Sequence, residues 1–361
     1  MNGRLPLQLW AVALGAAACA VVACSTSSAP SAGASPDPDD SGADDGSGPG
    51  VEGGSPSPDG AVVPPAGPDT IQVVLEPTDN AQALLTAVQN AKSSVHLTMY
   101  LMNDKRFISA LIAQHAAGHD VKVLLNQTFP SGAGTNQATF SQLQAGGVAV
   151  AWAPSTFTLT HEKCVLIDAS QAWIMTMNLE TSSSRNREYL AIDTLPSDVK
   201  EAEAMFAADF ANTPFTPSGA LLVAPVNARD KLVALVQSAK KTVDLEGEEL
   251  SDKTIVGALV AAKKAGATVR VVLADNTPSA SQASAVSQLK AASIPVVKVS
   301  TPYIHAKAVA VDGASAYVGS ENFTTGSLQY NRELGIITVN PSSASLVGST
   351  IAKDFAAGTP L

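Results

Sequence analysis

The chain has 361 residues, of which 45% are hydrophobic and 15% charged, and its formal net charge is −10. This length fits two ordinary domains or one duplicated core. The acidic balance argues against the overall basic surface of a dedicated nucleic-acid binder, and Cys164 is the one cysteine beyond residue 24, which excludes an intramolecular disulfide there.

The N-terminal segment predicts export. Arg4 precedes an apolar run from Leu5 to Ala23, the layout of a secretory signal, so residues 1–24 are predicted to be a signal peptide. The run ends in "VVAC", which resembles the lipobox of bacterial lipoproteins and makes Cys24 the predicted lipidation site. A plain cleaved signal peptide and an uncleaved anchor helix are the alternatives. The predicted location is the bacterial cell envelope, lipid-anchored at the periplasmic face or the cell surface.

Residues 25–70 are predicted to be a disordered linker, because they are Ser, Gly, Pro, Ala and Asp with almost no large apolar residue. The linker holds eight acids and no base. Removing these eight from the 32 acids, and Arg4 from the 22 bases, leaves 24 acids against 21 bases, a charge of −3 for residues 71–361. This near-neutral part argues mildly against a nucleic-acid substrate and leaves room for a local basic pocket.

From residue 95 onward, strand and helix patterns alternate, and the same order occurs twice. In the first half the pattern predicts a strand at 95–101, a helix at 104–118, a strand at 121–126, a helix at 137–147 and a strand at 148–152. In the second half it predicts a strand at 243–250, a helix at 252–266, a strand at 269–276, a helix at 283–293 and a strand at 294–300. This alternation predicts an α/β fold with a largely parallel or mixed sheet covered by helices. A Pro- and Gly-rich stretch near residue 215 separates an N-terminal lobe, residues 71–215, from a C-terminal lobe, residues 216–361.

Each half then enters a His-x-Lys-x-x-x-x-Asp segment, "HEKCVLID" from His161 and "HAKAVAVD" from His305. Positions i and i+2 of a strand face the same side, so each imidazole is predicted to lie beside the lysine of its own segment, Lys163 or Lys307. Two halves related by a pseudo-twofold axis would place both pairs around one shared site.

The agreement between the halves continues downstream of the two segments. Asn178 and Asn322 each lie ten residues after the aspartate of their segment, and each half goes on to Asn-Arg-Glu. Two histidines, two lysines and two asparagines suit a phosphodiester. One neutral imidazole attacks phosphorus, the other, protonated, gives its proton to the leaving alkoxide, and the lysines and asparagines hold the non-bridging oxygens.

Glu188 and Glu333 end the two Asn-Arg-Glu segments and are predicted to orient the imidazoles. They lie 27 and 28 residues after the histidine of their own half. We expect each carboxylate at the far ring nitrogen of that histidine, where it fixes the tautomer. The alternative is an ordinary salt bridge with the adjacent Arg187 or Arg332.

The aspartates of the two segments have a different predicted role. Asp168 and Asp312 lie five residues beyond their lysines, and "DASQ" and "DGAS" are typical of hairpin turns. They are predicted to be turn and scaffold residues that do not transfer protons in the reaction.

The two His-x-Lys segments, the two asparagines and "GSEN" at 319–322 resemble the phospholipase D superfamily over essentially all of residues 71–361. The resemblance implies a duplicated α/β/α sandwich whose two pseudo-symmetric lobes share one active site. It also implies a phosphohistidine mechanism without metal or cofactor, with His161 as the nucleophile. Carried over by position, the catalytic residues are His161, Lys163, Asn178 and Glu188 with His305, Lys307, Asn322 and Glu333, and the substrate-binding hydroxyls are Ser320 and Thr176.

The first functional hypothesis is an exported phospholipase D-like phosphodiesterase that hydrolyses phospholipid headgroup esters at a membrane surface. The alternatives are a metal-independent envelope nuclease of the same superfamily, a cardiolipin synthase-type phosphatidyltransferase, and an inactive duplicate that serves as a binding module. Complete His-Lys pairs in both halves count against the last. No protein partner is inferable from the sequence.

Weaker signals have plainer interpretations. His115 and His119 have the spacing of a helical metal pair but are predicted to be surface residues. Tyr100 and Glu248 end equivalent predicted strands, where they either line the cleft or pack in the core. Cys164 is predicted to be a small buried hydrophobe.

Overall fold

The computed structural model describes residues 70–130 and 135–361. The predicted signal peptide, with Cys24, and the predicted linker lie outside the described residues, apart from Thr70. Within the described ranges, no helix combines the length and apolar character that a membrane span requires.

The first half forms a seven-stranded sheet in the order β1-β7-β6-β5-β2-β3-β4. Its elements are β1 (Gln72–Glu76), α1 (Gln82–Gln89), β2 (Ser94–Met99), α2 (Lys105–Ala116), β3 (Asp120–Leu125), α3 (Gln137–Ala145), β4 (Ala149–Trp152), β5 (Lys163–Ile167), β6 (Gln171–Met175), β7 (Glu188–Asp193) and α4 (Pro196–Phe210). Strands β2, β3 and β4 are parallel, whereas the other neighbours pair antiparallel. The sheet is therefore mixed.

The second half repeats this order in an eight-stranded sheet, β15-β11-β10-β9-β12-β13-β14-β8. Its elements are β8 (Leu222–Ala224), α5 (Ala228–Gln237), β9 (Thr242–Gly247), α6 (Lys253–Lys264), β10 (Thr268–Ala274), α7 (Ala280–Ala291), β11 (Val296–Val299), β12 (Lys307–Val311), β13 (Ser315–Gly319), α8 (Thr325–Gln329), β14 (Glu333–Thr338), α9 (Pro341–Ala357) and β15 (Thr359–Pro360). Read from opposite ends, the two sheets have the same strand sequence, with β15 added to the second.

The predicted duplicated α/β fold is confirmed, and all ten predicted elements are present with their ends shifted by a few residues. The strands and helices that open and close each half were not predicted. The proposed lobe boundary at residue 215 falls in the irregular stretch between α4 and β8 and stays a prediction.

Three apolar clusters form the core. One fills the space between the first sheet and helices α1, α2 and α3, and another fills the equivalent space under α5, α6 and α7. The third draws on both sheets and on helices α4 and α9. The two halves therefore share one central core, in which Cys164 is buried as predicted.

The hairpins β5–β6 and β12–β13 turn at the two motif aspartates, whose φ angles are 56° at Asp168 and 55° at Asp312. The Asp168 carboxylate accepts hydrogen bonds from the consecutive backbone amides of residues 92–94. The Asp312 carboxylate does the same for residues 240–242. The predicted turn and scaffold role is confirmed, since each carboxylate ties its hairpin to the start of the neighbouring strand.

Candidate active site

Each histidine lies beside the lysine of its own segment, as the i, i+2 spacing predicts. Lys163 and Lys307 open strands β5 and β12, and each histidine lies two residues earlier. The distance between Lys Nζ and His Nε2 is 2.6 Å for Lys163 and His161, and 3.1 Å for Lys307 and His305. His161 and both lysines are wholly buried, and His305 is 4% exposed. Because the lysine ammonium lies at Nε2, Nδ1 is the ring nitrogen that is available to a carboxylate.

The carboxylates reach Nδ1 from the opposite half of the molecule. His161 Nδ1 lies 2.9 Å from both carboxylate oxygens of Glu333, and His305 Nδ1 lies 2.8 Å from Glu188 Oε1. The expectation that each glutamate serves the histidine of its own half is therefore wrong. Each site is a His-Lys pair from one half completed by a glutamate from the other.

Backbone pairing across the halves explains this exchange. The amide of His161 donates to the carbonyl of Arg332, and the amide of Arg187 donates to the carbonyl of Tyr303. Each Asn-Arg-Glu segment thus runs beside the histidine segment of the other half. The residue after each arginine is a glutamate, and its carboxylate therefore faces the imidazole of the other half.

The arginines next to the two glutamates pair elsewhere. Arg187 Nε lies 2.6 Å from Asp354 Oδ2, and Arg332 Nε lies 2.9 Å from Asp209 Oδ2. Both ion pairs also join the two halves. The alternative that Glu188 and Glu333 form salt bridges with their adjacent arginines does not describe the site.

The two hydroxyls predicted to bind substrate contact the glutamates. Thr176 Oγ1 donates to Glu188 Oε2 at 2.5 Å and accepts from the Tyr189 amide at 2.9 Å. Ser320 Oγ accepts from the Leu334 amide at 3.1 Å and also hydrogen-bonds Glu333. These bonds let both hydroxyls orient the carboxylates behind the imidazoles, and their predicted contact with phosphate stays a prediction.

Asn178 and Asn322 are buried with unused hydrogen-bonding capacity. Within the described part of the chain, neither Oδ1 nor Nδ2 of Asn322 has a partner, and Oδ1 of Asn178 has none. A buried amide without a partner costs about 1–3 kcal/mol. Such a cost is typical of a functional position. The Nδ2 donor of Asn322 fits the predicted role of binding a phosphate oxygen, whereas the atom of Asn178 without a partner is an acceptor, so the same role for Asn178 stays a prediction.

Three residues outside the predicted set also belong to the site. The Tyr100 ring lies edge-on to His161 with 4.5 Å between ring centroids, and its centroid lies 4.9 Å from Lys163 Nζ. Glu248 accepts from Lys307 Nζ at 3.0 Å and from the Tyr303 hydroxyl at 2.8 Å. The equivalent strand-end positions of Tyr100 and Glu248 were the signal in the sequence. Tyr303 was marked there only as one of the hydroxyls of "STPYIH", the segment that leads into the second motif and that a plain loop explains equally well.

The buried carboxyls of Glu333 and Glu321, near His161, differ in protonation state. Burial favours a higher pKa for Glu333, but the charge and hydrogen bond of His161, helped by Lys163, hold this pKa below its ordinary value. Behind it, burial and the charge of Glu333 raise the pKa of Glu321 to about 8, and its carboxyl is bonded to the Tyr317 hydroxyl at 2.6 Å. The imidazole is therefore faced by an ionised Glu333, behind which lies a carboxyl that stays largely protonated at neutral pH.

The remaining singled-out residues lie outside this site. His119 Nδ1 is bonded to Gln114 Oε1 at 2.5 Å, and both His115 and His119 are partly exposed on the first half. Burial raises the pKa of the Cys164 thiol well above its ordinary value, which makes it a poor nucleophile.

A family model described as "Cardiolipin synthase, PLD-like domain" matches the chain twice, over residues 84–210 and 232–355. None of the curated proteins matches the chain in sequence. Among solved structures, the chain is similar to phosphatidylserine synthase of Haemophilus influenzae, with 11% identity, a TM-score of 0.62, and coverage of 81% of this chain and 87% of that one. It is also similar to polyphosphate kinase of Porphyromonas gingivalis, with 18% identity, a TM-score of 0.60, and coverage of 78% of this chain and 46% of that one, so it spans less than half of that kinase. At these sequence identities, the two similarities show a shared fold and no more.

Proposed function

Because the chain belongs to the family described as cardiolipin synthase, PLD-like domain, whose superfamily acts on phosphodiester bonds or transfers phosphatidyl groups, we propose that it is a phospholipid phosphodiesterase. It would hydrolyse headgroup esters of phospholipids through a covalent phosphohistidine. One observation carries the proposal: two buried His-Lys pairs, each completed by a glutamate from the opposite half.

The chemistry follows from which nitrogen each group occupies. A glutamate on Nδ1 fixes the tautomer whose Nε2 carries the lone pair, so Nε2 of one histidine attacks phosphorus and forms a P–N bond. The P–O bond to the headgroup breaks, and the leaving oxygen takes a proton from Nε2 of the other histidine. In the second step a water gives a proton back to that histidine while its oxygen displaces the imidazole from phosphorus.

The lysines and asparagines would stabilise the charge that develops on phosphorus. Lys163 and Lys307 bring fixed positive charge to a site that is almost closed to water, where an ionic contact is stronger than on the surface. Among the described residues the Nδ2 donor of Asn322 has no partner, so it can supply a hydrogen bond that a phosphate oxygen completes, and Asn178 is proposed to do the same in the first half-site.

Three features support a lipid substrate. The family description names a phospholipid-synthesising enzyme. The sequence predicts a secretory signal with a lipidation site at Cys24 and a linker of 46 residues, which by a random-coil relation spans roughly 35–40 Å. Such a tether would hold the site within reach of a bilayer in the cell envelope. The charge of −3 on residues 71–361 is the observation against a nuclease.

Phosphatidyl transfer is the second candidate, because the same phosphohistidine is resolved by an alcohol in place of water. The family description favours it. The two reactions differ only in the acceptor, so they are separated by adding a primary alcohol or glycerol and by identifying the lipid product.

The full-length protein is tested for choline release from phosphatidylcholine vesicles in excess EDTA. We expect release by the wild type, its loss in His161→Asn and His305→Asn, and its retention in the matched control His115→Asn. Cleavage of single-stranded DNA without release from any phospholipid would refute the lipid substrate and favour the nuclease. Release that disappears with EDTA would refute the metal-independent mechanism.

A further inference from the structure

The two half-sites differ at several equivalent positions, and one of them is the residue that follows β2 and β9. This residue is Tyr100 in the first half and Glu248 in the second. The Tyr100 amide donates to the carbonyl of Glu162 at 3.1 Å, and the Glu248 amide donates to the carbonyl of Ala306 at 3.0 Å, each the residue after a motif histidine. The backbone is therefore equivalent at the two positions, and only the side chain changes.

The Glu248 side chain contacts the reactive side of the second half-site. Its Oε2 lies 3.0 Å from Lys307 Nζ and 3.5 Å from His305 Nε2, and its Oε1 accepts from the Tyr303 hydroxyl at 2.8 Å. The side chain is wholly buried. A carboxylate is thus held beside the imidazole nitrogen that exchanges protons with substrate.

The first half-site has an aromatic ring where the second has this carboxylate. His161 is faced by Glu333 at Nδ1, by Lys163 at Nε2 and by the edge of Tyr100. Glu321, whose pKa burial raises to about 8, lies behind Glu333.

At the position equivalent to Tyr100, His305 has a carboxylate as a neighbour. Glu188 lies at its Nδ1, while Lys307 and Glu248 both lie at its Nε2. An opposite charge within about 4–6 Å favours the charged form of a titratable group. The second half-site therefore favours the imidazolium more strongly than the first.

Two-step phosphodiester cleavage needs one neutral and one protonated imidazole at the start. We propose that Glu248 is a positioning residue that keeps His305 protonated as the acid for the leaving group and so leaves His161 as the nucleophile. This inference rests on the proposed phosphodiesterase function and specifies how its nearly symmetric site divides the two roles.

The proton and bond changes balance with this assignment. His161 Nε2 bonds to phosphorus as the P–O bond to the headgroup breaks, and the leaving oxygen takes the proton of His305 Nε2. Glu248 stays paired with Lys307 while His305 is neutral. Water then returns a proton to His305 as its oxygen bonds to phosphorus and the P–N bond breaks.

The test compares two lipids that share the phosphatidyl group and differ in the leaving group. Phosphatidylcholine releases an alkoxide that needs a proton, whereas phosphatidyl-p-nitrophenol releases p-nitrophenolate, which needs none. For Glu248→Gln we expect kcat/KM to fall about tenfold or more with phosphatidylcholine and to stay within about twofold with the p-nitrophenyl ester. The basic limb of the phosphatidylcholine pH profile should move about one unit lower.

Two further variants separate this role from a structural one. Glu248→Asp keeps the charge and should restore part of the lost rate and of the pH profile. Glu246→Gln is the matched control, since Glu246 is another buried carboxyl of β9 but is bonded to the Tyr189 hydroxyl at 2.7 Å. Its leaving-group preference should equal that of the wild type.

Equal losses with both lipids in Glu248→Gln and Glu248→Asp, without a shift of the pH profile, would show that Glu248 is only structural. A phosphatidyl group trapped on His305 instead of His161 would also overturn the assignment. Absence of wild-type activity on both lipids is a different result, because it refutes the proposed function itself.

Discussion

Asn322 is a buried polar residue whose hydrogen-bonding groups are unused. Its side chain is wholly buried, and within the described ranges neither of its amide atoms has a hydrogen-bond partner. The buried Asn136 is its opposite, because its amide bonds the carbonyls of Tyr100 and Asn126 and the amide of Met102 at 2.7–2.9 Å. The Asn136 amide therefore stabilises the fold, whereas the Asn322 amide has the unused groups that a ligand could bind.

Replacing Asn322 with leucine should stabilise the protein and inactivate it. The desolvated amide disappears, so we expect the free energy of unfolding to rise by about 1 kcal/mol. The loss of a donor to phosphate should lower kcat by about a hundredfold or more. Urea unfolding and lipid turnover measure the two effects. Asn136→Leu is the control and should destabilise, and equal destabilisation by both substitutions would show that Asn322 has a structural role.

Two buried carboxyls make the folding stability depend on pH. Burial raises the pKa of Glu246 and of Glu321 to about 8, from an ordinary value of 4.5. Between these values the folded state keeps protons that the unfolded chain releases, so stability falls as the pH rises from about 4.5 to about 8.

The double variant Glu246→Gln/Glu321→Gln should flatten this dependence. When the pH rises from 5.5 to 8.5, the free energy of unfolding of the wild type should fall further than that of the double variant, by an amount on the order of a few kcal/mol. Urea unfolding at the two pH values measures the difference. Asp275→Asn, which removes an acid at a partly exposed ion pair, should show the wild-type slope. A double variant with that same slope would contradict the assignment.

At the scale of elements, local spacing predicted what lies within one strand or hairpin. The i, i+2 rule placed Lys163 beside His161, and turn chemistry identified Asp168 and Asp312 correctly. The rule could not assign Glu333 to His161, because that contact depends on strand β14 of the other half reaching the start of β5. The contacts of Thr176 and Ser320 with the glutamates could not be predicted either, because they depend on how neighbouring strands of one half pair.

The β12–β13 hairpin should depend on Asp312 for stability and not for catalysis. Asp312→Ala removes the acceptor of three backbone amides at 2.7–2.8 Å, which should cost about 2–3 kcal/mol. Activity per folded molecule should remain close to wild type, as measured below the melting temperature. A loss as deep as that of His305→Asn in the folded variant would place Asp312 in the chemistry.

At the scale of the whole molecule, the two halves are interlocked at the centre. The pairs His161–Glu333, His305–Glu188, Arg187–Asp354 and Arg332–Asp209 all cross between halves. Helices α4 and α9 and both sheets share one apolar core. The duplication could be predicted from the sequence, but the reciprocal crossing could not, because repeats that simply stand side by side have the same sequence pattern.

Separate halves should therefore be inactive alone and active together. Residues 71–215 and 216–361, produced separately and mixed, should regain lipid turnover, since each supplies the glutamate that the other lacks. A mixture in which the first half carries His161→Asn is the control and should stay inactive. Turnover by either half alone would show that a glutamate of the same half can serve its histidine.

The crossed glutamates also set the order in which the two histidines acquire their carboxylates during synthesis. A ribosome-bound chain that extends to Lys307 already contains both His305 and Glu188, whereas His161 still lacks Glu333. Arg187 likewise lacks Asp354 until residue 354 has been added. The histidine–glutamate pair of the second half-site can therefore form first, and a nascent chain cannot form both pairs before residue 333 is made.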